Sequence, residues 1–206
     1  MNITAIEPRR KGLSALFIDG ELAFRLDTET LLAYRFDVGR DITDEQLKEV
    51  VDASNLKRCK DKAMWLLSYR DYSHRELFDK LKKDFGEDAA DQALSRCEEL
   101  GLLDDERFTR RYSADLFHLK RLSKNGVRQK LLQKGVDRDL IDAVLEEFDV
   151  DEEEQIKEII EKKYARVLSD EKGRRRAFAA LQRMGYSYSA IKQAMRAYTD
   201  TEEFYE

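Results

Sequence analysis

Apolar positions follow one pattern three times along this chain, at a spacing of about fifty residues. The first copy is Leu77, Leu81, Ala90 and Leu94, the second Val127, Leu131, Ile141 and Leu145, the third Ala177, Leu181, Ile191 and Met195. Each copy pairs two apolar residues four apart, breaks at Gly86, Gly135 or Gly185, and then pairs two more. That spacing predicts two short amphipathic helices joined by a glycine turn. A unit of this kind recurring at a fixed period predicts an elongated array of small helical modules, with much surface and little depth.

The flanking residues fill in the elements. Residues 14–26 alternate apolar and polar, with Leu16, Ile18, Leu22, Phe24 and Leu26 arranged around Asp19-Gly20, which predicts a β-hairpin leaning on later helices. The first ten residues, polar and basic up to Arg9, Arg10 and Lys11, predict a frayed start. A helix is predicted over 30–36, stopping near Gly39. Thr43-x-x-Gln46 is a capping box for another helix running to about Ala53. A separate helix over 57–69 turns Ala63, Leu66 and Leu67 inward, and Ser73-x-x-Glu76 opens one with Leu77, Phe78, Leu81 and Phe85 inward. Residues 87–100 follow, ended by Gly101.

Asp104 or Asp105 then caps a longer helix whose inward stripe is Phe108, Tyr112, Leu116, Leu119 and Leu122. Arg107, Arg111, His118 and Arg121 fall on another side, next to Arg110 and an exposed Phe117. Segments 123–134 and 137–148 complete a second module, and 156–164, 170–184 and 187–198 a third. The expected layout is an N-terminal extension over 1–55, three-helix modules over 56–103, 104–150 and 151–200, and an acidic tail over 201–206. The fold class is mainly α.

Composition supports helices. Charged residues make up 39% of the 206-residue chain and apolar ones 42%, too apolar for a disordered chain and suited to slender amphipathic helices. The single proline, Pro8, stands near the start. A net charge of -5 argues against a simple nucleic-acid binder, but the charges are blocked. Residues 107–134 hold nine Lys or Arg against Asp115, residues 162–183 hold eight against Asp170 and Glu171, and residues 137–161 hold twelve acids against Arg138 and Lys157. Such alternation predicts a basic and an acidic face; a solvated, self-paired surface is the competing account. Cys59 and Cys97 have no metal-site or disulfide spacing, and reduced thiols in a cytosol are the simplest reading. With no signal region and no spanning stretch, a cytoplasmic protein without membrane contact is expected.

Candidate chemistry is sparse. There is no phosphate loop and no serine elbow, and His74 and His118 stand too far apart in sequence to be read as a pair. Neither a catalytic residue, a metal site nor a cofactor is expected. Asp104-Asp105 reads as a helix cap, and Tyr69 and Tyr72 near Arg70 read as helix-end packing, with base stacking as the alternative. The basic clusters carry more. Lys172, Arg176 and Arg183 lie opposite the inward stripe Ala177, Phe178, Leu181 and Met184, with Arg174 and Arg175 near the helix start. Cations there oppose the helix dipole, at roughly 0.3 to 1 kcal/mol each if exposed, which favours an anionic partner. Arg107, Arg111, Arg121, Lys124 and Arg128 form the second candidate cluster. Phosphate backbone and an acidic protein groove would both accept either cluster.

Two stretches narrow the reading. Leu66-Leu67-Ser68-Tyr69-Arg70-Asp71-Tyr72-Ser73-His74-Arg75-Glu76-Leu77 and Gly101-Leu102-Leu103-Asp104-Asp105-Glu106-Arg107-Phe108 resemble the two most recognisable motifs of the bacterial RecX family. Residues 126–135, with Arg128, Leu131 and Lys134, resemble its weaker second-module pattern. The resemblance implies a curved crescent of three three-helix modules that binds the RecA filament, lies in its groove and modulates filament growth and ATPase, usually downward. It also implies contact with single- or double-stranded DNA in some members, and a place in DNA repair, recombination and the SOS response. The family offers no catalytic residue to carry over. A monomeric, non-enzymatic regulator of RecA is therefore expected. An autonomous nonspecific nucleic-acid-binding module and a helical scaffold for another protein are the alternatives.

Overall fold

The computed structural model describes residues 1–196 and 198, so the expected acidic tail lies outside the described residues. The chain forms two compact units, Met1–Asp104 and Asp105–Glu206.

The first unit opens with three antiparallel strands, β1 (Ile3–Pro8), β2 (Leu13–Ile18) and β3 (Glu21–Asp27), in the order β1-β2-β3. The β2–β3 turn falls at Asp19-Gly20, as the alternation predicts, with both residues left-handed at φ 50° and 89°. The frayed start does not occur. Ile3 is fully buried with Leu16, Ile18, Leu26, Leu31, Phe36 and Val50, and its backbone is held on both sides. The Ile3 N–H donates to the Arg40 carbonyl at 3.0 Å, and the Gly39 N–H donates to the Ile3 carbonyl at 2.7 Å. One buried isoleucine with satisfied backbone groups outweighs the polar composition around it.

Asp27 ends β3 and starts α1 (Thr28–Ala33). Its carboxylate accepts from the Thr30 N–H at 2.9 Å and from Lys57 Nζ at 2.9 Å, while its own N–H donates to Ser54 Oγ at 2.7 Å. Burial pushes the Asp27 pKa up, but the hydrogen bonds from Lys57 and Thr30 outweigh it and hold the group below the ordinary carboxylate value.

Thr43 and Gln46 close the expected capping box, with reciprocal bonds of 3.1 and 3.2 Å. The helix they open, α2 (Asp44–Leu67), does not end near Ala53; it runs 24 residues without a break. No glycine or proline interrupts it. The polar pair that could loosen it is tied into tertiary bonds, Ser54 to Asp27 and Asn55 Nδ2 to the Phe85 carbonyl at 2.7 Å. The boundary expected at 55/56 thus falls inside α2. Its first half places Val50 against the sheet, and its second half places Cys59, Ala63 and Leu66 against α3 (His74–Phe85) and α4 (Glu87–Glu99). Ser73 caps α3, accepting the Glu76 N–H at 3.2 Å.

The second unit carries two helical triples. The first is α5 (Asp105–His118), α6 (Lys124–Gln133) and α7 (Arg138–Glu146). The other is α8 (Glu152–Ile159), extended by a π-helical turn at Ile160–Tyr164, then α9 (Glu171–Arg183) and α10 (Tyr188–Arg196). Two expectations for α5 fail. Phe117 is not exposed but fully buried, its ring 5.1 Å from that of Phe148. Leu119 is 74% exposed, because the helix ends at His118 and the inward stripe stops with it.

The two triples are joined backbone to backbone. Gly126, third residue after the Ser123 cap of α6, lies so close to the end of α9 that a Cβ there would sit 2.2 Å from the Met184 carbonyl oxygen. That carbonyl accepts the Ser123 N–H at 3.1 Å. A Cβ on Gly185 would in turn sit 2.4 Å from the Gly126 nitrogen. Beside this contact the buried Tyr186 hydroxyl donates to the Arg121 carbonyl at 2.7 Å. It also lies 2.9 Å from Gln155 Oε1, so two acceptors share its one hydrogen. Arg121 presents that carbonyl from a left-handed conformation, φ 53°.

Candidate partner-binding faces

On α9 the inward positions Ala177 and Leu181 are fully buried, so the helix turns Lys172, Arg176, Ala179 and Arg183 to solvent together. Counted from Lys172 these residues stand four, seven and eleven positions on, within about 60° of one another around the axis. Lys172, Arg176 and Arg183 are exposed and make no hydrogen bond or ion pair with another described residue. They form a cationic stripe about three turns long.

The neighbouring arginines are placed differently. Arg174 is half-buried and donates through Nη1 to the carbonyls of Leu168 at 3.1 Å and Ser169 at 3.4 Å, fastening the loop that precedes its own helix. Arg175 pairs with Glu171 one turn back. The dipole penalty anticipated for these two is thus offset by local acceptors, and Asp170 caps the helix through the Gly173 N–H at 2.6 Å.

Arg107, Arg111 and His118 share one face of α5 with Ala114, at the same four-, seven- and eleven-residue spacing. Arg121 lies beyond the helix end, its guanidinium 3.1 Å from Glu158. Lys124 begins α6, where its N–H donates to Glu152 Oε1 at 2.7 Å. Arg128 donates through Nε and Nη2 to Asp142 at 2.9 and 2.6 Å. Arg110 bridges Glu106 and Glu147, and its guanidinium holds the Glu147 carboxyl below the ordinary value. The basic block over 107–134 is therefore partly neutralised by the acidic block that follows it.

Tyr72 packs as expected, 6% exposed with the Arg70 guanidinium 3.6 Å from its ring centroid. Tyr69 does not; it is 72% exposed and meets the half-exposed Trp65 edge-on at 4.8 Å, with Lys62 Nζ 4.0 Å over the Trp65 ring. Sequence reasoning passed over Trp65, whose signal is its place on the outer side of α2 away from Cys59, Ala63 and Leu66. His74 stands 3.5 Å from Glu98, an exposed pair. Among the described residues, no group of three or more His, Cys, Asp or Glu is placed to hold a metal ion, and no helix is long and apolar enough to cross a membrane.

The fold defines a class, proteins built from short three-helix modules in series. Models of the first, second and third three-helix domains of RecX match residues 59–97, 104–145 and 151–195. The chain is 35% identical over 167 residues to the regulatory protein RecX of Caldanaerobacter subterraneus subsp. tengcongensis, covering 79% of this chain and 84% of that one. The Clostridioides difficile regulatory protein RecX is 25% identical over 207 residues, 98% of each chain. A crystal structure of regulatory protein RecX superposes with TM-score 0.62 at 24% identity, covering 93% of this chain and 98% of that one. RecX from Lactobacillus salivarius does so with TM-score 0.59 at 21% identity, over 70% and 97%. The chain belongs to the RecX family of regulatory proteins.

Proposed function

We propose that this protein binds the RecA nucleoprotein filament and restrains its recombinase and ATPase activities, acting by occupancy and without catalysis of its own. Membership of the regulatory RecX family supports RecA as the partner. The observation that carries the binding mode is the α9 stripe, where Lys172, Arg176 and Arg183 lack an internal counter-charge among the described residues and so suit an anionic surface. Arg107 and Arg111 on α5 add a second cationic face, and they contribute after loosening contacts they already make. Arg121, Lys124, Arg128, Arg174 and Arg175 do the same. DNA within the filament and acidic protein both meet these requirements. The protein works in the cytoplasm, as a monomer, in recombination and repair.

Single-strand-dependent ATP hydrolysis by RecA, titrated with the protein, tests this. Inhibition is expected below one protein per RecA, and no effect at a one-to-one ratio overturns the proposal. The triple substitution Lys172→Ala, Arg176→Ala, Arg183→Ala is expected to lower potency at least tenfold with an unchanged melting temperature. It avoids Arg174, whose loss would also free the loop over 168–169. Binding to bare single strands with a log-log salt slope near 0.7 per phosphate, alongside no effect on RecA, would identify an autonomous nucleic-acid module instead. Unchanged filament and DNA binding by the triple variant would favour a scaffold for another partner.

A further inference from the structure

The outer seam between α2 and α4 is marked by cavities and by opposite charge at its two ends. Two cavities lie along it. In the first, of about 640 Å³, Ala53 and Leu56 share the lining with Ala89 and Gln92; in the second, of about 260 Å³, Lys60 and Met64 share it with Ala93, Arg96, Cys97 and Leu100. The order of these pairs shows that the two helices run parallel. Glu49, Ala53, Leu56, Lys60 and Met64 stand at four, seven, eleven and fifteen residues, one stripe of α2, and Ala89, Ala93, Arg96 and Leu100 form the matching stripe of α4. From Glu49 to Met64 the seam is about 22 Å long, four turns of helix.

Small side chains, Ala53, Ala89, Ala93 and Cys97, line the cavities, and the last three are buried in the core where α2 and α4 meet. Its ends differ in charge. Glu49, Asp52, Glu87 and Asp88 rim the first cavity against Lys48 alone, although Glu87 is already paired with Lys82 at 2.6 Å. Lys60 and Arg96 flank the second, where Arg96 also holds Glu99 at 2.8 Å. Beside these two cations, Met64 and Leu100 are 40% and 47% exposed and would be covered by an apolar anchor.

We infer that this seam seats an amphipathic helix of the partner protein, with basic residues over the acid-rimmed end and an apolar anchor with a carboxylate between Lys60 and Arg96. The acidic rim repels phosphate, and the length exceeds what a small ligand needs, so the occupant is protein. The inference deepens the proposed function and rests on it: the helix belongs to the filament protein, and the seam is a second contact independent of the α9 stripe.

The test uses full-length protein and RecA filaments assembled on oligo-dT with a non-hydrolysable ATP analogue, with binding read by anisotropy. The variant Met64→Glu, Leu100→Glu and the variant Glu49→Lys, Asp52→Lys alter exposed residues, and the second serves if the first fails to fold by circular dichroism. Each folded variant is expected to bind at least tenfold more weakly, with affinity for bare oligo-dT within twofold of the unsubstituted protein. Filament affinity within twofold of the unsubstituted protein overturns the seam while leaving the proposed function intact. A parallel loss on bare oligo-dT overturns it in favour of nucleic acid. No binding by the unsubstituted protein overturns the proposed function and the seam together.

Discussion

Replacing Gly126 with alanine should destabilise the protein, although helix propensity alone argues the reverse. Alanine in a helix is ordinarily favoured over glycine by roughly 0.5 to 1 kcal/mol. Here the added Cβ would lie 2.2 Å from the Met184 carbonyl oxygen, 3.1 Å from its carbon and 3.3 Å from Leu122 Cβ. The oxygen is backbone and cannot rotate away. Restoring an ordinary contact takes a shift of about 1 Å, and the shift strains the Ser123 to Met184 hydrogen bond and the Tyr186 anchor on Arg121. Overpacking of this kind costs about 1 to 3 kcal/mol and outweighs the propensity gain. In a chain of this size that is a fall on the order of 5 °C in melting temperature. Differential scanning calorimetry of Gly126→Ala against the unsubstituted protein reads it directly. A melting temperature equal to or above that of the unsubstituted protein would refute the close approach of α6 and the end of α9.

Two further perturbations probe other joints. Tyr186→Phe leaves the Arg121 carbonyl and the Gln155 amide without their buried partner, a loss of about 1 to 3 kcal/mol read from urea midpoints. Burial, and then the nearby Glu152, raise the Tyr186 pKa, so its contribution is complete below the unfolded tyrosine value near 10 and declines as pH rises beyond it. The gap between the two proteins should therefore narrow above about pH 10, and a constant gap would count against this account. Asp27 has the opposite sign: its lowered pKa contributes stability above the unfolded value near 3.9 that is lost as pH falls below it. Asp27→Asn should unfold at lower urea than the unsubstituted protein at pH 7, with the gap narrowing as pH falls below about 4; parallel curves would disprove the Lys57 and Thr30 assignment.

Local patterns were legible in the sequence. The paired apolar residues, the Thr43 capping box, the Ser73 cap and the Asp19-Gly20 turn each draw on residues within a few positions, where spacing determines geometry. What escaped depended on distant partners. β1 exists because Ile3 meets Leu16 and Val50, and α2 continues because Ser54 and Asn55 find Asp27 and Phe85. Phe117 turns inward because Phe148 is there to receive it. For the candidate site, the α9 stripe was legible because it is a property of one helix. The pairings of Arg110 with Glu147, Arg121 with Glu158 and Arg128 with Asp142 were not, since these acids lie 37, 37 and 14 residues away, beyond any helical period.

Those engagements explain why two similar basic blocks offer different surfaces. The block over 107–134 is followed by twelve acids, and Arg110, Arg121 and Arg128 each meet one of them, Glu147, Glu158 and Asp142. The block over 162–183 contains only Asp170 and Glu171, which are taken by the α9 cap and by Arg175. On α9 itself, Lys172, Arg176 and Arg183 are the cations without a counter-charge among the described residues. An exposed pair contributes up to about 1 kcal/mol, so breaking one to reach a partner weakens binding by up to about fivefold. Under the proposed function the α9 stripe forms contacts at no such cost, and each paired arginine recruited afterwards adds less than a stripe residue. Substitutions along Lys172, Arg176 and Arg183 should therefore weaken filament binding more, residue for residue, than substitutions at Arg110 or Arg128.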